Sequence, residues 1–333
     1  MENRKRGSFR FPLFRMSVVA LMGAGFFSAC QSGPRVTENA QAATVNESLP
    51  LPPVIPIHAK EDSTAPAFDL KLSANSVPDG SLVLLTITPR ASFDQDSLRV
   101  KFEDVEFPAF HPTEQAAEYE ALVVMPFNSK PRKSRIEVEW KVSGKSRSAE
   151  IPVEVIDGRY RSEKLTVEGS KIDPPKKTLK RIMAEVKEIG SIYRHSDRKK
   201  YWTGAFSLPI DSEVTSPFGN KRVYNGKMKS FHQGLDLRAR TPLPIHAPAN
   251  GRIALAKDLY FTGWTVIIDH GYDLFTIYGH MSRLDVKAGD MVTNGTQLGL
   301  SGATGRASGP HLHWGAVLVR QKFNPEGLTR VLH

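Results

Sequence analysis

The sequence predicts an all-β protein, in which an antiparallel, sheet-based C-terminal domain is preceded by a small β-sandwich and a linking helix. Three observations carry this. Between Phe68 and Val155 six or seven short runs alternate apolar and polar residues, the period of two that half-buried strands require, and turn residues such as Pro78-Asp79-Gly80 and Ser143-Gly144-Lys145 separate them. From Tyr201 onward short apolar runs again alternate with glycine turns, and no long helical period interrupts them. Between the two regions Leu179, Ile182, Met183, Val186 and Ile189 recur at three- and four-residue steps, the stripe of an amphipathic helix.

Residues 1–30 precede these elements. Arg4, Lys5, Arg6, Arg10 and Arg15 form a basic head, Met16 to Phe27 a short apolar run, and Ser28-Ala29 a small-residue end before Cys30. That order is an export signal, and the run is too short to span a membrane comfortably. Small residues before a cysteine resemble a bacterial lipoprotein signal, in which Cys30 becomes the lipidated first residue. Phe27 departs from the usual leucine, and an ordinary secretory signal is the alternative. Gln31, in place of aspartate, favours an anchor in the outer membrane if the cell is Gram-negative. The expected location is therefore the periplasmic face of the outer membrane, or a secreted or soluble periplasmic form if Cys30 is not lipidated.

Residues 31–66 are rich in Pro, Ala, Thr, Ser and Asn, including Leu51-Pro52-Pro53-Val54-Ile55-Pro56. Such a stretch cannot bury a core and reads as a tether. The sandwich is expected over 67–157, with strands at Phe68–Leu72, Leu82–Ile87, Leu98–Phe102, Tyr119–Val124, Arg135–Val142 and Ala149–Val155. No constellation of reactive residues falls in it. The linker spans 158–200, its helix starting after Pro174-Pro175 and carrying Lys176, Lys177, Lys180, Arg181 and Lys187 on its other faces. Residues 201–333 form the last domain, with strands at Gly251–Ala256, Trp264–Asp269, Leu274–Tyr278 and Gln297–Gly299, and a cleft across one face of the sheet.

The chain has 333 residues, 40% of them hydrophobic, which leaves room for two modest domains and a tail. One cysteine excludes an internal disulfide framework. A net charge of +10 fits anionic wall polymer or lipid headgroups. Nucleic acid is not expected, because no recognition motif accompanies the charge and the leader directs export.

The informative chemistry lies in histidines. Ten occur, and six of them fall between His232 and His313. In Gly309-Pro310-His311-Leu312-His313-Trp314-Gly315 two imidazoles one residue apart on a strand face one side, while Leu312 faces the other. Upstream, His232 and Asp236 could both reach one cation if the chain turns at Gly234. His280 adds a further donor. His270 ends a strand and His246 starts one, and neither is expected to bind metal. Tyr260, Phe261 and Trp314 are aromatic candidates for a substrate groove, with core packing the commoner fate.

From about Ser216 to Pro325 the chain resembles the lysostaphin-like, LytM-type zinc metallopeptidases that cut cell-wall peptides. The resemblance rests on Ser216-Pro217-Phe218-Gly219, His232 to Asp236, Ala247-Pro248, Ile268-Asp269-His270-Gly271, Tyr278-Gly279-His280, the His311 to Gly315 stretch and Asn324-Pro325, in that order. It implies a twisted, open antiparallel sheet with the metal on its concave side, one zinc ion held by His232, Asp236 and His313, and a fourth position for water. His311 and His280 are then the catalytic pair, His311 as the candidate general base and His280 as the group that orients water or stabilises the oxyanion, although the sequence leaves open which of the two takes the proton. No His-Glu-x-x-His pattern is present, so a thermolysin-like arrangement is excluded. The implied substrate is peptidoglycan, cut in its stem peptides or cross-links. Some relatives have lost their metal residues and act as non-catalytic activators of amidases, which is the alternative; here all five positions are filled. In latent relatives an asparagine occupies the fourth position, and Asn225, in the Asn225-Gly226 turn before His232, is the candidate for that role.

Overall fold

The computed structural model describes residues 67–165, 174–224, 226, 228–240, 242–307 and 309–332. The leader with Cys30, the tether and Asn225 lie outside the described residues.

The N-terminal region is a two-sheet sandwich. Its strands are β1 (Phe68–Leu72), β2 (Ser76–Pro78), β3 (Leu82–Pro89), β4 (Asp94–Phe102), β5 (Val105–Phe107), β6 (Ala109–Phe110), β7 (Tyr119–Val124), β8 (Arg132–Val142) and β9 (Lys145–Ile156). One sheet runs β1-β3-β7-β6 and the other β2-β9-β8-β4-β5. Alternation does what it should: β1 buries Phe68, Leu70 and Leu72 and exposes Asp69 and Lys71. Both inner faces feed one core, where Val83 and Ile87 meet Val100 and Ile136, and Phe68 stands edge-on to Trp140 at 4.6 Å. Nine strands form where six or seven were expected, because β2, β5 and β6 are too short to show a period. The pairing is also not wholly antiparallel, since β2 runs parallel to the end of β9.

The segment expected to be a linker takes part in the fold. Ser162–Leu165 forms β10, parallel to β12 (Lys221–Tyr224), which pairs with β13 (Met228–Phe231). The helix α1 spans Lys176–Ile192 and is pinned by Arg181 to Asp258 at 2.9 Å, Glu188 to Lys257 at 2.9 Å, and the Tyr260 N–H donating to Glu185 at 2.9 Å. Its stripe is buried only in part: Ile182, Ile189 and Ile192 pack inward, whereas Leu179 is 37% and Met183 64% exposed.

The C-terminal region contains β11 (Val214–Ser216), β14 (Leu235–Arg238), β15 (Pro244–His246), β16 (Gly251–Leu259), β17 (Gly263–Gly271), β18 (Leu274–Met281), β19 (Arg283–Leu284), β20 (Met291–Val292), β21 (Gln297–Leu300), β22 (His311–Leu318), β23 (Gln321–Phe323) and a short α2 (Leu328–Val331). The main antiparallel sheet runs β11-β14-β22-β18-β17-β16-β20, with β23 beside β22; β15, β21 and β19 form a second sheet. One face of the main sheet buries Leu312 and Trp314 with Leu235, Ile268 and Tyr278. The other buries Val317, Phe275 and Ile267 beneath α1.

Sandwich and sheet are continuous inside. Trp202, Phe206, Leu318 and Phe323 belong to the same apolar cluster as the sandwich core. Phe110 meets Trp202 edge-on at 5.2 Å, and Phe127 packs on Phe218 at 5.0 Å and Phe231 at 5.2 Å. Phe218 precedes the β12–β13 hairpin and Phe231 ends it just before His232, so the sandwich packs against the segment that leads into His232.

Candidate metal centre

Strand register assembles the site. β14 and β22 pair with Asp236 opposite His313 and Arg238 opposite His311, and opposed residues share a face. His232 follows β13 and folds over the same spot. Its Nε2 lies 3.0 Å from Asp236 Oδ1 and 3.3 Å from His313 Nδ1, and His313 Nδ1 lies 2.9 Å from the same oxygen. One donor atom from each of the three falls within 4.8 Å of the others, the one such group of His, Cys, Asp or Glu found among the described residues.

Backbone carbonyls aim the imidazoles. His232 Nδ1 donates to the Pro217 carbonyl at 3.0 Å, with Ser216 Oγ at 3.3 Å, which leaves Nε2 for the site. His311 Nδ1 donates to the Gly309 carbonyl at 2.8 Å, and its Nε2 stands 3.8 Å from Asp236 Oδ1. His280 Nδ1 donates to the Thr304 carbonyl at 2.8 Å, and its ring lies 4.7 Å from that of His311. Thus four imidazoles and one carboxylate overlook one hollow.

Two features depart from the expectations. Gly234 is not a left-handed turn residue. It is needed for space: a Cβ there would overlap His313 Cε1 and lie 2.8 Å from the Trp314 carbonyl. His280 reaches the site against strand alternation. Gly279 pairs with His313, so regular alternation would send the next side chain to the opposite face; instead His280 takes φ 63°, a left-handed conformation costing on the order of 1–3 kcal/mol for a non-glycine residue. Its N–H donates to the Thr262 carbonyl at 2.6 Å.

Electrostatics suits a cation. Burial pushes the Asp236 carboxyl up, but the attraction of His232 and the hydrogen bonds from His232 and His313 outweigh it and hold the group well below the usual carboxylate range. Burial lowers His313, and burial followed by repulsion from His311 and His313 takes His280 down to about 3. With the imidazoles neutral, the site offers an anionic oxygen beside nitrogen lone pairs, the donor set of a borderline-soft divalent ion.

The remaining candidates sit elsewhere. His270 is fully buried, bonded to the Asn250 carbonyl and to Thr276 Oγ1, both at 2.7 Å, and burial lowers it to about 4. His246 lies in the second sheet. Trp314 is a core residue on the face opposite the imidazoles. Phe261 is buried and Tyr260 half-buried, with the Arg306 guanidinium 4.9 Å and 5.8 Å from their rings. Sequence reasoning missed Arg222 and Thr304, and it took Ser216 only as a motif residue, because a basic residue after Lys221 reads as solvated charge and the contacts of hydroxyl and carbonyl groups carry no pattern.

Residues 230–325 match the model of Peptidase family M23. The peptidoglycan DD-endopeptidase ShyA of Vibrio cholerae is 32% identical over 154 residues, 43% of this chain and 36% of ShyA. The DD-carboxypeptidase/endopeptidase Mpg of Neisseria meningitidis is 32% identical over 124 residues, 37% of this chain and 29% of Mpg. These matches thus span about a third of the relatives' length. Among solved structures, a candidate M23 peptidase from Pseudomonas aeruginosa superposes with a TM-score of 0.57 at 26% identity, covering 76% of this chain and 95% of that one, well beyond residues 230–325. The resemblance to LytM-type peptidoglycan peptidases read from the motifs is borne out.

Proposed function

Taking residues 230–325 as a Peptidase family M23 domain, we propose that the chain is an exported zinc metalloendopeptidase that hydrolyses peptide bonds in the stem peptides or cross-links of peptidoglycan. The observation that carries this reading is the convergence of His232 Nε2, His313 Nδ1 and Asp236 Oδ1 on one point, with His311 and His280 overlooking it. His232, Asp236 and His313 are the residues that would hold one zinc ion. Bound there, zinc would supply a Lewis acid and lower the pKa of a coordinated water to near 7.

The chain's own residues do the rest. His311 keeps its proton on Nδ1 through the Gly309 carbonyl, so Nε2 is the free nitrogen that accepts a proton from the attacking water and passes it to the leaving amine. His280 is held in the same tautomer by Thr304, and burial keeps it neutral, so its Nε2 orients that water as an acceptor rather than taking the proton. Tyr260, beside Arg306, would border the substrate in this reading. The lipid anchor at Cys30 and the periplasmic, outer-membrane location belong to the same proposal, as does Asn225 as an occupant of the fourth position. A non-catalytic amidase activator would need none of the five converging side chains.

The test uses the mature chain with purified sacculi. Mass spectrometry of released fragments should show new amino and carboxyl ends within stem peptides or cross-links for the zinc-loaded chain, and none after chelation or in His232→Ala. Identical profiles from all three would sink the hydrolase reading.

A further inference from the structure

Directly behind the converging groups lies a buried cation. Arg222, on β12, is 6% exposed; its Nη2 donates to Ser216 Oγ at 2.8 Å and stands 3.7 Å from Asp236 Oδ2. The two oxygens of Asp236 therefore divide their company. Oδ1 has His313, His232 and His311 nitrogens at 2.9, 3.0 and 3.8 Å, while Oδ2 faces the guanidinium. Through Ser216 Oγ, 3.3 Å from His232 Nδ1, the same side chain backs a second of the three groups. Pairing fixes the arrangement: Ser216 lies opposite Asp236, and Arg222 opposite Ser230, two residues before His232.

We propose that Arg222 is a positioning residue that occupies Oδ2 and so confines Asp236 to one oxygen toward the metal, leaving coordination positions for water and the substrate carbonyl. The inference rests on the metal-centre reading above. A carboxylate can bind through one oxygen or both. An arginine is permanently charged and, in a poorly screened setting, competes for the second oxygen. The same charge repels a divalent ion and weakens the carboxylate as a donor, so Arg222 lowers affinity while raising Lewis acidity. A residue that merely packs behind ligands would do the reverse, its loss costing roughly 10- to 100-fold in metal affinity.

The test compares full-length wild type, Arg222→Gln and Arg222→Lys by visible absorption of the Co2+ form, Zn2+ affinity from chelator competition, and turnover of sacculi. Arg222→Gln should shift the Co2+ spectrum toward the weak absorption of higher coordination, bind Zn2+ as tightly as wild type or tighter, and lose about tenfold or more in turnover. Arg222→Lys should keep the wild-type spectrum. A wild-type spectrum in Arg222→Gln, or a loss of Zn2+ affinity of about tenfold in both variants, overturns the proposal. Should Arg222→Gln fail to fold by circular dichroism, wild type decides: weak six-coordinate Co2+ absorption overturns it and intense low-coordinate absorption supports it. Failure of wild type to bind either ion defeats the metal-centre reading itself.

Discussion

The sandwich and the C-terminal sheets are both β structures closed around aliphatic and aromatic side chains, yet they treat polar atoms in opposite ways. In the sandwich Asp79 is the one buried charged side chain among the described residues, and it is a clamp, accepting from the Asn128 and Gly158 N–H groups at 2.6 and 2.9 Å. Its other charges meet at the surface, as Arg135 and Glu150 do. The C-terminal region buries Arg222, His232, Asp236, Asp269, His270, Thr276 and His280, among others. Burying a polar group is costly unless it is paired, so this difference marks where folding serves chemistry as well as stability.

Several substitutions would break or sharpen that contrast. The largest effect belongs to the converging groups: Asp236→Ala should lower turnover of sacculi by roughly a thousandfold or more while the far-UV spectrum stays that of wild type. In the sandwich the sensitivity is to volume, and Trp140→Ala, at a site 2% exposed, should cost about 3–5 kcal/mol in urea unfolding. A loss under about 1 kcal/mol would contradict a tightly packed sandwich core.

Next comes pH. His270 is lowered by burial to about 4, below its unfolded value near 6.5, so the unfolded chain takes up a proton that the folded chain refuses. This contribution is fully present above pH 6.5 and is lost as pH falls toward 4, at about 1.4 kcal/mol per pH unit inside that window. His270→Gln should flatten the slope, read from metal-free unfolding curves; an unchanged slope would place the titration elsewhere.

Gly234→Ala forces a methyl group against His313, with an expected cost of about 1–3 kcal/mol and a weakened Zn2+ affinity seen by chelator competition. Smallest is Arg135→Ala, which removes an ion pair whose partners are 68% and 43% exposed and should leave the melting midpoint unchanged within error.

Legibility in the sequence follows the range of the interactions. β1 and β22 announce themselves because alternation is a property of consecutive residues, and it placed His311 and His313 on one face correctly. The short strands β2, β5, β6 and β10 carry two to four residues each and exist only through partners far along the chain. The helix stripe was legible, but where its cover stops was not, since Leu179 and Met183 differ from Ile182 only in what lies beneath them.

By itself, then, the sequence determined the kinds of donor available, the faces that regular strands present and the motif order that resembles a metallopeptidase. Tertiary structure alone decided which donors meet. His280 turns into the hollow through a left-handed backbone that alternation forbids, Gly234 is required by a neighbour 79 positions later rather than by its own turn, and Arg222 becomes a buried partner of Asp236 through the pairing of β11, β12, β13 and β14. The physical reason is one of reach: periodicity encodes local direction, whereas a metal centre depends on distances between side chains that only register and packing set.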